Sequence, residues 1–227
     1  MRLEKASIKA IRYACLNFHY SKSVPVNPFA FSVFNNKDEF CGVIVYSAGA
    51  NNNIGKPYNL SNGQIIELTR MALNGKQEST SKALAISMKL LPKYMPLVRL
   101  IISFADTKQN HIGVIYQATN YFYIETVKTT PDYFYKGRWM HQRQVNSLLG
   151  SLLRLPKDTP RRKGHDKIRY IYPLDSKLIP LCKSLSKPYP KKQAELPHKG
   201  EDDSHQNQGA FDSTVPLKSV EKQLNGQ

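Results

Sequence analysis

A nearly continuous apolar run, Leu97 to Ala105, limits what this chain can fold into more than any other feature. It falls far short of the roughly 20 apolar residues that a membrane span needs. Its uniform hydrophobicity is typical of a strand that is buried on both faces of a sheet. The run therefore predicts the central strand of an α/β domain.

The elements around this strand follow from helical spacing, from runs of β-branched and aromatic residues, and from turn-forming residues. Their order mixes parallel and antiparallel pairing, which predicts one central mixed sheet. The predicted elements are helix Lys5–His19, a hairpin of strands Phe29–Phe34 and Phe40–Tyr46, strand Ile65–Leu73, a helix that starts at Ser79–Ser81 and ends before Pro96, helix His111–Asn120, strand Tyr121–Val127, helix Asn146–Leu155 and strand Ile168–Tyr172.

The composition changes near Ser184, where the chain becomes rich in Pro and Lys and then polar and acidic. A segment with so few apolar residues cannot bury enough surface to fold by itself. We therefore predict one domain over residues 1–183 and a disordered tail over residues 184–227.

The charge of the chain predicts a polyanionic partner. Lys and Arg number 33 against 17 Asp and Glu, which gives a formal net charge of +16. Residues 195–227 have more acidic than basic side chains, so the positive excess belongs entirely to the preceding residues. Nucleic acid is the usual partner of so basic a domain, and a merely solvated basic surface is the alternative.

The cysteines and the N-terminus predict a cytoplasmic protein. Cys15, Cys41 and Cys182 are odd in number and far apart, which favours reduced thiols over a disulfide framework or a zinc site. The first residues, Met1 to Tyr13, contain scattered charges and lack the apolar run of a signal peptide.

Three local runs resemble the Mom DNA-modification proteins of phages and prophages. They are Asn17–Pro25 (NFHYSKSVP), Glu67–Ala72 (ELTRMA), and Ser103–Asp106 (SFAD) together with His111–Asn120 (HIGVIYQATN). The order of the elements also resembles the fold of the GNAT acyltransferase superfamily. The resemblance implies conversion of adenine in DNA to a methylcarbamoyl form, with an acetyl-CoA donor, which shields phage DNA from host restriction. It also implies double-stranded DNA as the partner.

Asp106, His19 and Tyr20 are candidate catalytic residues. Asp106 follows the buried strand, where α/β folds commonly position reactive groups, and the weakly nucleophilic amine of adenine needs a base. The simpler alternative is that Asp106 only caps the turn after it. His19 and Tyr20 end the first predicted helix, where a histidine also interacts favourably with the helix dipole. The resemblance favours a functional role for all three residues.

Arg70 and Tyr116 complete the predicted catalytic set. Arg70 falls on the mostly apolar face of its strand, so it needs a partner, which is either a structural carboxylate or a substrate. In the fold that the chain resembles, a tyrosine at the position of Tyr116 protonates a leaving thiolate. A buried core aromatic residue is the alternative.

Two cofactors are predicted. Ser79, Thr80 and Ser81 begin a helix whose free amides suit the pyrophosphate of acetyl-CoA, although an ordinary capped helix explains them equally well. His19, Asp106 and Tyr116 together resemble an open site for ferrous iron, Fe(II), because an additional nitrogen must enter a methylcarbamoyl product and a redox metal is one route to it.

A basic and aromatic stretch follows residue 132. Cations there can hold phosphates and aromatic rings can stack bases, as an enzyme that extrudes a base from duplex DNA requires. The alternatives are that Trp139 is a core or interface anchor and that the basic surface is merely solvated. The predicted DNA-binding residues are Lys136, Arg138, Trp139, Arg143, Arg161, Arg162 and Lys163.

Two other functions fit the same residues. One is a conventional N-acetyltransferase that acts on a protein, an RNA or a small amine. The other is a DNA-binding protein with an inactive acyltransferase fold.

Overall fold

The computed structural model describes residues 1–49 and 53–191, so the predicted tail lies largely outside the described residues. The strands are β1 (Arg2–Lys5), β2 (Phe29–Phe34), β3 (Phe40–Ser47), β4 (Ile65–Leu73), β5 (Leu100–Asp106), β6 (Phe122–Val127), β7 (Asp132–Tyr135), β8 (Arg138–His141), β9 (Arg161–Arg162) and β10 (Lys167–Pro173). The helices are α1 (Ile8–Asn17), α2 (Thr80–Tyr94), α3 (Val114–Gln117), α4 (Gln142–Leu149) and α5 (Ile179–Leu185).

The large sheet has seven strands in the order β1-β2-β3-β4-β5-β10-β6. Strands β4 and β5 run parallel, and the other neighbouring strands run antiparallel. The prediction of an α/β domain with a central mixed sheet is confirmed. β5 lies between β4 and β10, and its residues Leu100, Ile101 and Ile102 are fully buried, as the apolar run predicted.

The two faces of the large sheet pack against different helices. On one face, Ile101 and Ala105 of β5 share a core with Leu84 and Leu91 of α2. The opposite face carries two smaller clusters, one against α1 and the other against α5. Since successive strand residues point to opposite faces, each strand contributes side chains to the packing on both faces of the sheet.

Strands β4 and β5 separate towards one end of the sheet. Their pairing covers Ile65 to Leu68 of β4 and ends at the pair Leu68 and Ser103. The next residue, Thr69, is an extra residue in the register between β3 and β4. A bulge of this kind bends the strand, so β4 follows β3 and leaves a gap beside the last residues of β5.

The first predicted helix is wrong at both ends. Residues Arg2 to Lys5 pair with β2 as an edge strand, and α1 starts only at Ile8. Ser7 fixes that start, because its hydroxyl accepts a hydrogen bond from the Ala10 backbone N–H at 3.2 Å. Ile8 has the helical spacing of the buried residues Ile11 and Cys15, but it lies at the start of α1 and is 61% exposed.

Two later helices also differ from their predicted bounds. The helix predicted over His111–Asn120 is a single turn after Gly113, which has a left-handed φ of 82°. The helix predicted over Asn146–Leu155 begins earlier, because His141 and Gln144 form a capping box, and it ends at Gly150. The ends of these two helices are set by capping contacts, which the spacing of apolar residues does not predict.

Besides β1, four elements were not predicted: helix α5 and strands β7, β8 and β9. α5 follows β10, and after it the Lys187 N–H donates to Tyr123 O at 2.9 Å, so the chain stays against β6 beyond the predicted boundary at residue 183. Strands β7, β8 and β9 form a separate small sheet in the order β8-β7-β9. β7 and β8 form a local hairpin around Lys136 and Gly137, whereas β9 pairs with β7 from a later segment of the chain.

Cys15, Cys41 and Cys182 are free and buried. None of the helices in the described residues is long and apolar enough to cross a membrane.

We predict that Gly113→Ala lowers the free energy of unfolding by about 2–4 kcal/mol. A Cβ at this position would lie 2.3 Å from the Tyr170 ring, in addition to the strain of a φ of 82°. Gly75→Ala is the matched control, because Gly75 has a φ of 84° with open space around it. It should lose only about 1 kcal/mol in urea unfolding. Equal losses in the two variants would show that the contact with Tyr170 is unimportant.

Candidate active site

A polar strip crosses the face of the large sheet that carries α1 and α5. It lies between the apolar cluster under α1, which includes Ala72, and the cluster under α5, which includes Ile102. Strand alternation brings Glu67, Arg70 and Asp106 onto this face at the gap between β4 and β5. The segment that follows α1 supplies the side chains that meet them.

Tyr20 and Asp106 join the end of α1 to the end of β5. The Tyr20 hydroxyl donates a hydrogen bond to Asp106 Oδ2 at 3.1 Å. The other carboxylate oxygen, Oδ1, accepts from the Lys108 backbone N–H at 3.0 Å, so the predicted capping role is also present. Burial raises the pKa of Tyr20 to about 12, and the Asp106 carboxylate adds to this. The phenol is therefore a proton donor to Asp106 at neutral pH.

His19 is held in one orientation by Ser21. The Ser21 backbone N–H donates to His19 Nδ1 at 3.1 Å, and the Ser21 hydroxyl lies 2.8 Å from the same nitrogen. Burial lowers the pKa of His19 to about 4, and the charge of Arg70 lowers it further. The ring is therefore neutral at pH 7. Because Nδ1 accepts a hydrogen bond, the single proton of the neutral ring is on Nε2.

Arg70 connects β4 to the loop after α1. Its Nη1 donates to Thr69 O at 2.7 Å, and its Nη2 donates to the Ser23 hydroxyl at 3.4 Å. Ser23 in turn donates to Ser21, the residue that orients His19. The Arg70 Nε is buried and has no hydrogen-bond partner among the described residues. A buried donor without a partner is expensive, so the guanidinium is suited to an additional acceptor such as a substrate oxygen.

Glu67 is a second carboxylate of the strip. A Cβ on Gly49 would come within 2.6 Å of Glu67 Oε2, so the loop after β3 covers this side chain closely. Burial raises the pKa of Glu67, and the charges of Lys167, Arg70 and Arg143 oppose that rise. The charges that lower the pKa of Glu67 therefore come from three different elements, β10, β4 and α4.

Tyr116 lies in the core on the other face of the sheet. It is 7% exposed and packs against Tyr121 and Tyr170, with ring centroids 5.3 and 5.2 Å away. Burial raises its pKa, and the charges of Tyr20 and Glu67 add to the effect. Both proposed properties of Tyr116 therefore coexist: it is a core aromatic residue and it is a protonated phenol beneath the site.

The sequence comparisons identify the family. The model of the Mom protein family matches residues 1–191. A relative from Escherichia phage Mu, "Methylcarbamoylase mom", is 30% identical over 183 residues, which are 75% of this chain and 74% of the relative. The chain belongs to the Mom protein family.

Solved structures with a similar backbone are N-acetyltransferases. A chimera of the Vibrio cholerae spermidine N-acetyltransferase SpeG and hSSAT matches with a TM-score of 0.46 and 11% identity, over 79% of this chain and 99% of that chain. A Bacillus subtilis acetyltransferase in complex with CoA matches with a TM-score of 0.41 and 11% identity, over 76% of this chain and 98% of that chain. Scores this low carry no argument about ligands or reaction.

In this Mom-family chain, α2 is the helix predicted to bind a pyrophosphate, and it starts within the predicted residues Ser79–Ser81. Ser79 caps α2 by accepting from the Lys82 N–H at 3.2 Å, and Ser81 Oγ lies 3.1 Å from Ser79 Oγ. The first turn of α2 contains no acidic residue, and its first amides have no partner within the helix. The carboxylate of Glu78 accepts instead from the Asn36 N–H in the β2–β3 turn at 2.5 Å. The residues present therefore fit an anionic group.

The predicted iron site of His19, Asp106 and Tyr116 is not assembled. Tyr20, and not Tyr116, is the tyrosine beside Asp106. Among the described residues, no three His, Cys, Asp or Glu side chains converge as a metal site. No step of the proposed reaction therefore involves a metal held by these three residues.

The predicted DNA-binding residues are brought together by the small sheet. Lys136 is in the β7–β8 turn, Arg143 begins α4 directly after β8, and the others lie on β8, on β9 or next to β9. All seven predicted side chains are exposed, so the core alternative for Trp139 is wrong. Arg162 differs from the rest because it donates to Asp132 Oδ2 at 3.1 Å.

Sequence reasoning missed Glu67, His111 and Ser23 as site residues. The His111 ring lies against Tyr20, with centroids 6.4 Å apart, and its charge lowers the pKa of His19. All three fall within the runs that carry the family resemblance. The sequence therefore contained a signal for these three residues, because they belong to the runs that resemble the family. Only the fold shows that these runs meet in space.

We predict that His19 is neutral with its proton on Nε2 and titrates at about pH 4. Long-range proton–nitrogen NMR spectra of ¹⁵N-labelled protein measure both properties. Arg70→Gln should raise the midpoint because it removes a nearby positive charge. Lys93→Gln, a change at the far end of α2, should leave it unchanged. A His19 midpoint near the ordinary value of about 6.5 would contradict this account of the site.

Proposed function

We propose that this Mom-family chain modifies adenine in DNA at its exocyclic amine, to give N6-(methylcarbamoyl)adenine, and so protects phage DNA from host restriction. The phage Mu relative is named a methylcarbamoylase, which supports this reaction class. The observation that carries the proposal is the contact between Tyr20 and Asp106 at the gap between β4 and β5. It joins two of the runs that resemble the family.

Asp106 is the base in this proposal. The lone pair of the adenine amine is delocalised into the ring, so the amine must lose a proton as its nitrogen attacks. The carboxylate oxygens of Asp106 are acceptors, and Tyr20 fixes one of them through its hydroxyl. His19 is less suited to accept this proton, because Nδ1 already accepts from Ser21 and Nε2 carries the hydrogen.

His19 and Arg70 are hydrogen-bond donors in this proposal. A neutral imidazole with its proton on Nε2 can donate to an oxygen on which negative charge develops. The unpartnered Nε of Arg70 can donate to the same group. Ser21 and Ser23 connect the two side chains, so their orientations depend on each other.

Acetyl-CoA is the acyl donor that fits the chain. When bound, it supplies an activated acyl carbon and a thiolate leaving group. The first turn of α2, from Ser79 to Ser81, would hold its pyrophosphate. Tyr116, which burial keeps protonated, would supply a proton at the gap. A methylcarbamoyl group contains a nitrogen that an acetyl group lacks, so a nitrogen donor must also enter the reaction.

Double-stranded DNA binds to the small sheet in this proposal. The exposed cations there form a basic surface next to α4, and the charge of Arg143 on α4 acts on Glu67 in the strip. An adenine must leave the duplex before its amine can reach Asp106. The basic surface would hold the flanking phosphates while the base enters the gap.

We predict that Asp106→Asn lowers the yield of modified adenine by roughly a hundredfold or more, because a positioned base contributes that much. Plasmid DNA from expressing cells is digested to nucleosides, and the nucleosides are quantified by mass spectrometry. Asp175→Asn is the matched control. Asp175 caps a turn by accepting from the Lys177 N–H at 2.9 Å, just as Asp106 accepts from Lys108, but it lies away from the strip.

The two variants separate catalysis from turn capping. Full activity of Asp106→Asn would remove Asp106 from the mechanism, and equal losses in both variants would indicate a structural defect. Unmodified adenine in cells that express the wild-type protein would overturn the proposed reaction itself.

We also predict that duplex binding weakens steeply with added salt. Lys163→Gln should reduce the slope of log affinity against log salt by about 0.9, since one phosphate contact is lost. Arg162→Gln should reduce it less, because Asp132 already neutralises that guanidinium. Lys89→Gln on α2 is the control and should have no effect. Equal slopes for the wild type and Lys163→Gln would argue against this surface.

A further inference from the structure

The small sheet has one covered face and one open face. On β8, Met140 is 4% exposed and lies on the covered side, where Val145 of the following helix α4 is fully buried. Its neighbour Trp139 points the opposite way, because strand residues alternate. Phe134 on β7 is directly opposite Trp139 in the register, so both aromatic rings share the open face. Each of these two residues is 40% exposed.

The aromatic rings on this face are held in a fixed arrangement. The Phe134 and Trp139 ring centroids are 5.5 Å apart with an interplanar angle of 64°. The Arg162 guanidinium lies over the Trp139 ring, with its Cζ 4.6 Å from the centroid. Asp132 holds that guanidinium in place, since Arg162 Nε and Nη2 donate to Asp132 Oδ2 at 3.2 and 3.1 Å. Trp139 is therefore preorganised although it is exposed.

Exposure of a fixed tryptophan needs a reason, because burying such a ring would stabilise the fold. The surroundings indicate the partner. Residues 128–167 contain ten Lys and Arg against three Asp, and one of these, Asp132, is paired with Arg162. This excess of positive charge complements the negative charge of the DNA backbone. Phosphates bind to the cations, but an aromatic ring gains little from a phosphate and much from the face of a base.

We propose that the open face of the small sheet, built from Phe134, Trp139 and Arg162, stacks on nucleobases of opened DNA. The inference rests on the proposed function, because duplex bases expose their faces only when the target adenine is extruded. Trp139 precedes Arg143 by four residues, and Arg143 acts on Glu67 in the active site. Arg162 positions Trp139 and is not a free phosphate contact.

The fluorescence of Trp139 tests this directly, because the chain contains one Trp. Full-length protein is mixed with a fluorescein-labelled adenine-containing duplex, and binding is followed by the anisotropy of the label. Stacking predicts that Trp139 emission is quenched as the duplex binds and that acrylamide reaches the ring less readily in the complex. Binding with unchanged emission and unchanged acrylamide access would overturn the proposal.

Variants separate stacking from charge. Trp139→Ala should weaken duplex binding roughly tenfold with an unchanged salt slope, because a stacking contact is lost and no ionic contact is. Trp139→Phe keeps an aromatic face and should bind within roughly threefold of the wild type. The control, Leu97→Ala, removes an apolar side chain that is 75% exposed ahead of β5, and it should bind as the wild type does. Equal affinities for Trp139→Ala and the wild type would contradict stacking.

Nucleoside analysis of the same preparations distinguishes the two proposals. Modified adenine in wild-type samples together with an unquenched Trp139 would contradict the stacking proposal but support the proposed reaction. A quenched Trp139 with no modified adenine would support the stacking proposal but contradict the proposed reaction. Trp139→Phe and the quenching measurement remain informative if Trp139→Ala fails to fold.

Discussion

The end of the pairing between β4 and β5 is the constraint on which the site depends. The two strands are hydrogen-bonded as far as Leu68 and Ser103, and the extra residue Thr69 then turns β4 away. A parallel pair that continued further would leave Arg70 and Asp106 on one closed sheet surface. Because the strands diverge, polar side chains from both of them surround a gap, and the segment after α1 can reach Asp106 through Tyr20.

Burial and excess positive charge determine the chemistry available at the gap. His19 remains neutral because it is buried and faces Arg70, so it can donate a hydrogen bond from Nε2 without carrying a charge. Glu67 is a buried acid among Arg70, Lys167 and Arg143. These groups come from β4, β10 and α4, so the electrostatics of the site depend on elements far apart in the chain. Charged groups in such a setting interact more strongly than they would in water.

The two sheets have separate contributions in the proposed mechanism. The large sheet positions the reacting groups through backbone hydrogen bonds and a packed core on both faces. The small sheet buries little and displays cations and aromatic rings, which suits a surface that must meet DNA. Helix α4 connects them, since it begins at the end of β8 and carries Arg143 towards Glu67.

The sequence by itself determined the elements whose signal is local: the buried strand β5, the hairpin of β2 and β3, the capped start of α2, and the exposed cations that follow residue 132. Tertiary structure decided the rest. β1, the pairing of β9 with β7 and the position of β10 between β5 and β6 arise from pairing between distant segments. Glu67 and His111 join the site, and Tyr116 separates from Asp106, for the same reason. Periodicity and composition report which face of an element is apolar, but the gap exists only because two strands diverge after folding.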